Sequence, residues 1–330
     1  MNTGFVVGKF YPLHLGHMHL LDIARSQCDR LIVWVCDRAQ QEIPGTVRAG
    51  WIRELYPDAD VRVVPDTLDD TDSAAWASYT VRILGSAPDV VFTSEDYGPV
   101  YARLMGSRHV MVDRFRERTP VSGTDIRGNP FLHWSFLAPP VRAHFAKRIV
   151  VVGAESTGTT TLARDLAAHY RTVWVPEYGR EYAERLTAGG QAWKTGDFVH
   201  IASEQERREA EAARSANRYL ICDTNAFATR LWHERYLGSM SPEVDRIASR
   251  VRADLYILTG DEIPFVQDGT RDGEHIRHAM HRRFVRELKR TGVPYVTVTG
   301  ASGVRLSAAV EHIDRRFGQA ASGRRHIMPT

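Results

Sequence analysis

Short apolar runs alternate with helix-length amphipathic segments through the first part of the chain, and near residue 147 the same alternation starts afresh. Strands are expected at Phe5–Val7, Leu31–Cys36, Val61–Val64, Val90–Phe92 and His109–Val112, with helices near Leu20–Ser26, Val47–Leu55, Ala74–Leu84 and Pro99–Met105. The runs show little polar alternation, so both faces of each strand must be covered. Strands of that kind separated by helices build a parallel sheet. The second series places strands at Ile149–Val152, Val173–Val175, Tyr219–Cys222, Leu255–Leu258 and Tyr295–Val298, with long polar helices such as Phe198–Asn217 and Glu274–Arg290 between them. Between the series, Phe136-Leu137-Ala138-Pro139-Pro140 reads as a break, since two prolines interrupt a helical reading. A length of 330 residues leaves room for two domains of about 150 residues each. The expectation is an α/β protein of two tandem doubly wound parallel-sheet domains, 1–146 and 147–330, joined near 138–147.

The turn after the first strand is Gly8-Lys9-Phe10-Tyr11-Pro12-Leu13-His14-Leu15-Gly16-His17. A strand end, a bend and a helix N-terminus leave backbone N–H groups pointing outward, which favours an anion. His14 and His17 add donors suited to phosphate oxygens, and Gly16 lets the backbone come close to a ligand. Two other readings of His14, His17 and His19 are a metal cluster and plain surface histidines at a helix start, although no carboxylate or cysteine stands near to complete a metal set. Downstream, Val121-Ser122-Gly123-Thr124-Asp125-Ile126-Arg127 is a Ser/Thr-rich turn that opens a helix and carries an arginine. It reads as a second phosphate clamp.

Together these segments resemble the GKFxPxHxGH and ISGTxIR signatures of the HxGH nucleotidyltransferases, with Val121 in place of the first Ile. The resemblance implies a Rossmann-like domain that transfers a nucleotidyl group from a nucleoside triphosphate. Gly8, Phe10, His14, Gly16, His17, Ser122, Thr124 and Arg127 would then bind ATP, and Lys9, His14, His17 and Arg127 would act on the transferred phosphate. Ile43–Arg48 with Trp51–Pro57, and Ser94–Gly98, are similar to segments of the nicotinamide mononucleotide adenylyltransferases. That likeness implies nicotinamide mononucleotide contacts at Arg48, Trp51, Trp76 and Glu95, with Trp76 either stacked on the nicotinamide ring or part of the core. The reaction asks for no covalent intermediate. Catalysis rests on positioning and on neutralising phosphate charge, with one Mg²⁺ on the triphosphate.

The second series opens on Lys147–Val152 and continues Gly153-Ala154-Glu155-Ser156-Thr157-Gly158-Thr159-Thr160-Thr161. Apolar strand, glycine-bounded loop and helix are the setting of a P-loop, and the glycine spacing fits GxxxxGK[ST]. The lysine position holds Thr159, and Thr160 stands where the Mg²⁺-binding hydroxyl belongs. Asp223 closes a buried strand beside this loop, which suits a Mg²⁺ contact or a base for a substrate hydroxyl.

Over nearly its whole length the chain resembles the NadR-type fusions of nicotinamide mononucleotide adenylyltransferase with a P-loop ribosylnicotinamide kinase, in that order. Pro176–Tyr182 resembles the PEYAREY segment of the kinase half. Leu220–Asn225 resembles its DTD stretch with Asn225 for the second Asp, and Pro264–Arg271 its PWxxDGxR stretch with Phe265 for Trp. The resemblance implies that Glu177, Tyr178, Arg180, Asp268 and Arg271 hold the nucleoside or close over the phosphates, with Arg277 nearby. A P-loop lysine neutralises β- and γ-oxygens, so Thr159 is expected to weaken the kinase unless Lys194, Arg271 or Arg277 fills that place.

Charge narrows the partners. Lys and Arg number 43 against 40 Asp and Glu, an excess of +3 that is too small to mark a nucleic-acid binder. The chain starts just before the first strand, without the N-terminal helix-turn-helix region that some NadR proteins carry, so DNA is not expected as a partner. No apolar run reaches the roughly 18 residues of a membrane helix, and no basic segment of a signal peptide precedes the first strand. Cys28, Cys36 and Cys222 form no CxxC, which fits a reducing cytoplasm. The expected partners are ATP with Mg²⁺, nicotinamide mononucleotide, nicotinamide riboside and the product NAD, in a homo-oligomer away from membranes. The competing expectation is a nucleotidyltransferase of another specificity whose second domain is a non-catalytic nucleotide sensor.

Overall fold

A computed structural model describes residues 2–266 and 274–318. The chain divides into two units after Val141. The first runs β1 (Thr3–Gly8), α1 (Leu15–Ser26), β2 (Arg30–Asp37), α2 (Gly45–Leu55), β3 (Asp60–Pro65), α3 (Ser73–Leu84), β4 (Val90–Thr93), α4 (Gly98–Met105), β5 (Arg108–Met111) and α5 (Gly123–Gly128). Helix α6 (Pro139–Phe145) follows. Its two prolines occupy the first turn, where the missing N–H has no intrahelical acceptor to lose. The pair that reads as a helix break therefore begins a helix.

The second unit runs β6 (Lys147–Val152), α7 (Thr159–Tyr170), β7 (Trp174–Val175), α8 (Tyr178–Ala188), α9 (Thr195–Ala212), β8 (Tyr219–Asp223), α10 (Ala226–Leu237), α11 (Pro242–Arg250), β9 (Leu255–Thr259), α12 (Glu274–Thr291), β10 (Tyr295–Val298) and α13 (Ser302–Phe317). No described helix is long and apolar enough to cross a membrane.

Both sheets are wholly parallel. The first has the order β3-β2-β1-β4-β5, with Gly8 opposite Val35 and Gly4 opposite Val90. The chain thus leaves the centre of the sheet in one direction and returns to the other side of β1. Such a reversal opens a crevice at the carboxyl ends of the central strands. Leu31 to Cys36 are buried without a break, as strands covered on both faces require. Phe5, Ile32, Trp34, Cys36, Val64 and Val91 form one core with Ala77 of α3 and Tyr101, Ala102 and Met105 of α4. The second sheet has the order β10-β9-β6-β8-β7 and brings Val151 of β6 level with Asp223 of β8. The strands β6, β8 and β9 form its buried centre.

Candidate functional site

In the first unit the turn after β1 delivers two imidazoles to the N-terminus of α1. His14 is the N-cap, extended at φ −144°, and its Nδ1 accepts the Gly16 N–H at 3.1 Å. Its neutral tautomer therefore carries hydrogen on Nε2. A Cβ at position 16 would lie 3.0 Å from the His14 ring, so the glycine makes room for this cap. The sequence reading gave that room to a ligand instead. One turn on, His17 lies against His14 with ring centroids 3.8 Å apart and against Phe10 at 5.1 Å. Burial, and then the Arg116 charge, push His14 down to about 4. Burial first, then His14 and Arg116, hold His17 well below the ordinary histidine range. Both rings are held neutral at pH 7, so each has one N–H to offer rather than a charge.

Gly8, Phe10 and His17 line a cavity of about 760 Å³. One wall carries an ionic cluster. Lys9 Nζ is 2.9 Å from Asp70 and 3.7 Å from buried Asp66, and Arg38 is 2.8 Å from Asp66 and 2.9 Å from Asp70. Trp76 lines another part, its indole N–H donating to the Asp69 carbonyl at 3.1 Å. Arg127 lies over the Tyr11 ring at 4.4 Å and donates to the Tyr11 carbonyl and, at 3.0 Å, to the Thr124 hydroxyl. Glu95 also lines the cavity and pairs with Arg116 at 3.3 Å. Ser122 caps α5, its Oγ accepting the Asp125 N–H at 3.1 Å while Asp125 Oδ2 accepts the Ser122 N–H at 3.0 Å.

Arg48 has a different setting from the expected substrate contact. It is fully buried. It donates to the carbonyls of Ile43 at 2.9 Å, Cys36 at 3.0 Å and Lys9, and to the side chains of Asp37 and Gln41, each at 2.6 Å. These bonds tie the end of β2 to the turn after β1. Neither Arg48 nor Trp51, buried on α2, lines the cavity. No grouping of three or more His, Cys, Asp or Glu that could hold a metal occurs among the described residues.

In the second unit a glycine-bounded loop joins β6 to α7. Thr157 Oγ1 donates to the Ala154 carbonyl at 2.6 Å and accepts from Thr259 Oγ1 at 2.7 Å. A Cβ at Gly153 would collide with both hydroxyls, so closing the loop onto β9 requires glycine there. Gly158, at φ 79°, caps α7. Thr160 Oγ1 donates to Asp223 Oδ2 at 2.5 Å, and buried Asp223 Oδ1 has no partner among the described residues. Burial raises the Asp223 carboxyl against the hydrogen bonds from Thr160 and Thr159. Glu177 is likewise raised, by burial first and by the Asp223 charge second.

A cavity of about 370 Å³ opens beside the loop, lined by Glu155, Ser156, Gly158, Thr159, Thr160 and Thr161 and, across from them, Glu177 and Arg180. Its far wall is aromatic: Trp193, Phe198, Trp232 and Tyr236. Trp193 stacks on Tyr236 at 5.3 Å and lies 4.9 Å from Phe198. The sequence reading missed this wall. Its signal was the i, i+4 pair Trp232 and Tyr236 on α10. Three residues singled out in the sequence have structural places instead. Tyr178 is buried against α9, its N–H bonded to Gln205 and its hydroxyl to His200. Asn225 caps α10 and donates to the Tyr256 hydroxyl at 3.1 Å. Lys194 caps α9 and does not line the cavity. Asp268 and Arg271 lie outside the described residues.

The fold and the two crevices define a nucleotidyltransferase-like domain followed by a P-loop-type nucleotide-binding domain. Residues 5–129 match the family described as cytidylyltransferase-like, and residues 148–305 match the AAA domain family. The trifunctional NAD biosynthesis/regulator protein NadR of Escherichia coli is 29% identical over 89% of this chain and 78% of its own. The nicotinamide-nucleotide adenylyltransferase of Thermococcus onnurineus is 26% identical over 53% of this chain and 98% of its own. Among solved structures, a NadR protein in complex with NR has a TM-score of 0.78 at 23% identity, covering 96% of each chain. A NadR protein with NAD and AMP-PNP has a TM-score of 0.75 at 24% identity with the same coverage. The chain is thus similar to NadR proteins across both of its domains.

Proposed function

We propose that segment 1–146 joins ATP and nicotinamide mononucleotide into NAD and pyrophosphate, and that segment 147–330 phosphorylates nicotinamide riboside with ATP. One observation carries the first half: paired neutral histidines open a helix beside a cavity whose walls bear Lys9, Arg38 and Arg127. An oxygen of the mononucleotide phosphate bonds to the α-phosphorus as the bond to the β-phosphate bridging oxygen breaks, and the electron pair leaves on pyrophosphate. No proton has to move, so donors without a general base suffice. His14 and His17 donate to the α-phosphate, Lys9 and Arg127 offset charge along the triphosphate, and Gly8, Phe10, Ser122 and Thr124 shape its seat. Trp76 offers a flat face to the nicotinamide, and Glu95 lines the same cavity.

In the second unit the 5′-hydroxyl oxygen of the nucleoside attacks the γ-phosphorus and ADP leaves. The hydroxyl proton passes to one of two buried carboxylates, Glu177 or Asp223, whose raised affinity for protons suits that task. The unpartnered Asp223 oxygen and the Thr160 hydroxyl are oxygen donors of the kind that the Mg²⁺ accompanying ATP takes. That ion offsets phosphate charge when bound. The aromatic wall suits a flat, cationic pyridinium, which stacks on such rings and is drawn to their faces. Three cysteines, all unpaired, accord with a cytoplasmic setting.

One assay decides. The chain is incubated with Mg²⁺-ATP and either nicotinamide mononucleotide or nicotinamide riboside, and the products are separated. NAD from the first and nicotinamide mononucleotide from the second are expected. No NAD would end the first assignment. ATP bound without phosphorylation of the riboside would make the second unit a sensor.

A further inference from the structure

Two buried arginines grip the lysine-less loop by its carbonyls. Arg277 of α12 is 2% exposed, and its Nη2 donates to the Ser156 carbonyl at 3.2 Å. Arg305 of α13, 3% exposed, donates to the Thr157 carbonyl, to the Gly260 carbonyl at 3.0 Å and to Glu262 Oε1 at 2.6 Å. Successive peptide units of the loop are thus held from two different helices. The opposite ends of those units are the N–H groups of Thr157 and Gly158. In a loop of this kind N–H groups are what cradle phosphate. A guanidinium on the carbonyl fixes the peptide's orientation and polarises it, so its N–H becomes a stronger donor.

The two arginines differ in charge balance. The Arg305 charge is matched by the Glu262 carboxylate. Arg277 makes no ion pair among the described residues, whereas the buried Nε of both arginines lacks a partner there. Where a buried guanidinium meets no anion among the described residues, an arriving phosphate supplies the opposite charge. We propose that Arg277 stands in for the absent P-loop lysine, as a positioning residue that offsets β- and γ-phosphate charge through the Ser156–Thr157 peptide. Arg305, neutralised by Glu262, only holds the next peptide in register. The inference rests on the reading of the second unit as a nucleoside kinase.

The test follows nicotinamide mononucleotide formation from nicotinamide riboside and Mg²⁺-ATP in the full chain, with thermal unfolding measured on each variant. The unmodified chain is expected to turn over. Arg277→Met is expected to lower kcat about 100-fold, the scale of losing one preorganised electrostatic contact, with little change in KM for the riboside. Thr159→Lys is expected to restore most of kcat to Arg277→Met. A purely structural arginine would not be rescued by an ammonium at position 159. Normal kcat in Arg277→Met, or no rescue in a double variant that melts like the unmodified chain, overturns the proposal. Should Arg277→Met fail to fold, Arg277→Lys takes its place: kcat is expected to fall about tenfold, because a point charge cannot reproduce the guanidinium fork, and to recover with Thr159→Lys. Full kcat in Arg277→Lys, or no recovery, overturns the proposal equally. Turnover absent from the unmodified chain and present in Thr159→Lys overturns it while leaving the kinase reading in place. Turnover absent from both ends the kinase reading and the proposal with it.

Discussion

Each unit puts its crevice after a central parallel strand, where the next helix begins, but the two crevices are furnished differently. In the first, the helix is capped by a side chain, His14, and the cavity walls carry Lys9, Arg38 and Arg127, with Asp66 and Asp70 paired to the first two. In the second, the helix is capped by Gly158, and the cavity is lined by Glu155 and Glu177, with Asp223 bonded to Thr160 beside it. The shared backbone device says only that an anion binds. The side chains say what happens to it. Transfer from one phosphate to another needs charge cancelled on both and no proton moved. Transfer to a hydroxyl needs a proton acceptor and oxygen donors for a metal.

The largest effect expected from breaking this contrast is at His17. His17→Ala should lower NAD formation by about 10²–10³, the usual loss for one preorganised donor, and leave phosphorylation of the riboside alone. Both activities are measured on one preparation. If they fall together, the division of labour between the units is wrong. Near-normal NAD formation would remove the histidine from the site.

Arg48 separates scaffold from substrate contact within the first unit. Arg48→Ala strands buried acceptors and the Asp37 carboxylate. It should destabilise that unit by about 3–5 kcal/mol, the scale of breaking a buried pair, as read by denaturant unfolding. A stable variant with only a raised KM for nicotinamide mononucleotide would return Arg48 to the cavity. The residue also shows where sequence reading stops. A motif says that an arginine is wanted on α2, but not which way it faces. That is settled by carbonyls at positions 9, 36 and 43, which only the fold brings together. The strands were legible because covered strands must be continuously apolar, and the P-loop because its glycine spacing is fixed by local geometry. Helix α1 starts at Leu15, earlier than the expected Leu20, because its cap is a histidine rather than one of the usual small polar caps. The aromatic wall was legible only in its i, i+4 pair on α10: Trp193 comes from the segment before α9 and Phe198 from α9, and no local pattern joins them to that pair.

A smaller effect is expected at Arg127. Arg127→Ala should raise the KM for ATP about tenfold and that for nicotinamide mononucleotide much less, since a guanidinium can meet phosphate oxygens in pairs. Part of the loss would come through the Tyr11 carbonyl and ring that Arg127 now holds. Separate titrations of the two substrates decide. An effect confined to nicotinamide mononucleotide would move Arg127 to the other end of the cavity.

The smallest expected effect is a difference in pH dependence. Burial already keeps His14 and His17 uncharged at neutral pH, each with a single N–H, so NAD formation should be flat from pH 6 to 8. Burial acts on Glu177 and Asp223 in the opposite sense and raises them, so part of the pair still holds a proton in the lower part of that range. A carboxyl must lose its proton before it can accept one. Phosphorylation of the riboside should therefore climb several-fold with pH over the same interval, by at most about tenfold per unit. Stability should follow the same signs. Between the ordinary histidine value of 6.5 and about 4, the unfolded chain binds a proton at His14 that the folded chain refuses. The first unit therefore gains stability as pH rises through that window. Glu177 keeps a proton in the folded state that the unfolded chain has already released, so its contribution falls as pH rises above the ordinary carboxylate range. Denaturant unfolding at several pH values, compared between the unmodified chain and Glu177→Gln, reads the second slope directly. A substitution that leaves this slope unchanged would mean that Glu177 is already ionised in the folded chain, and any rise of phosphorylation with pH would then have to come from Asp223.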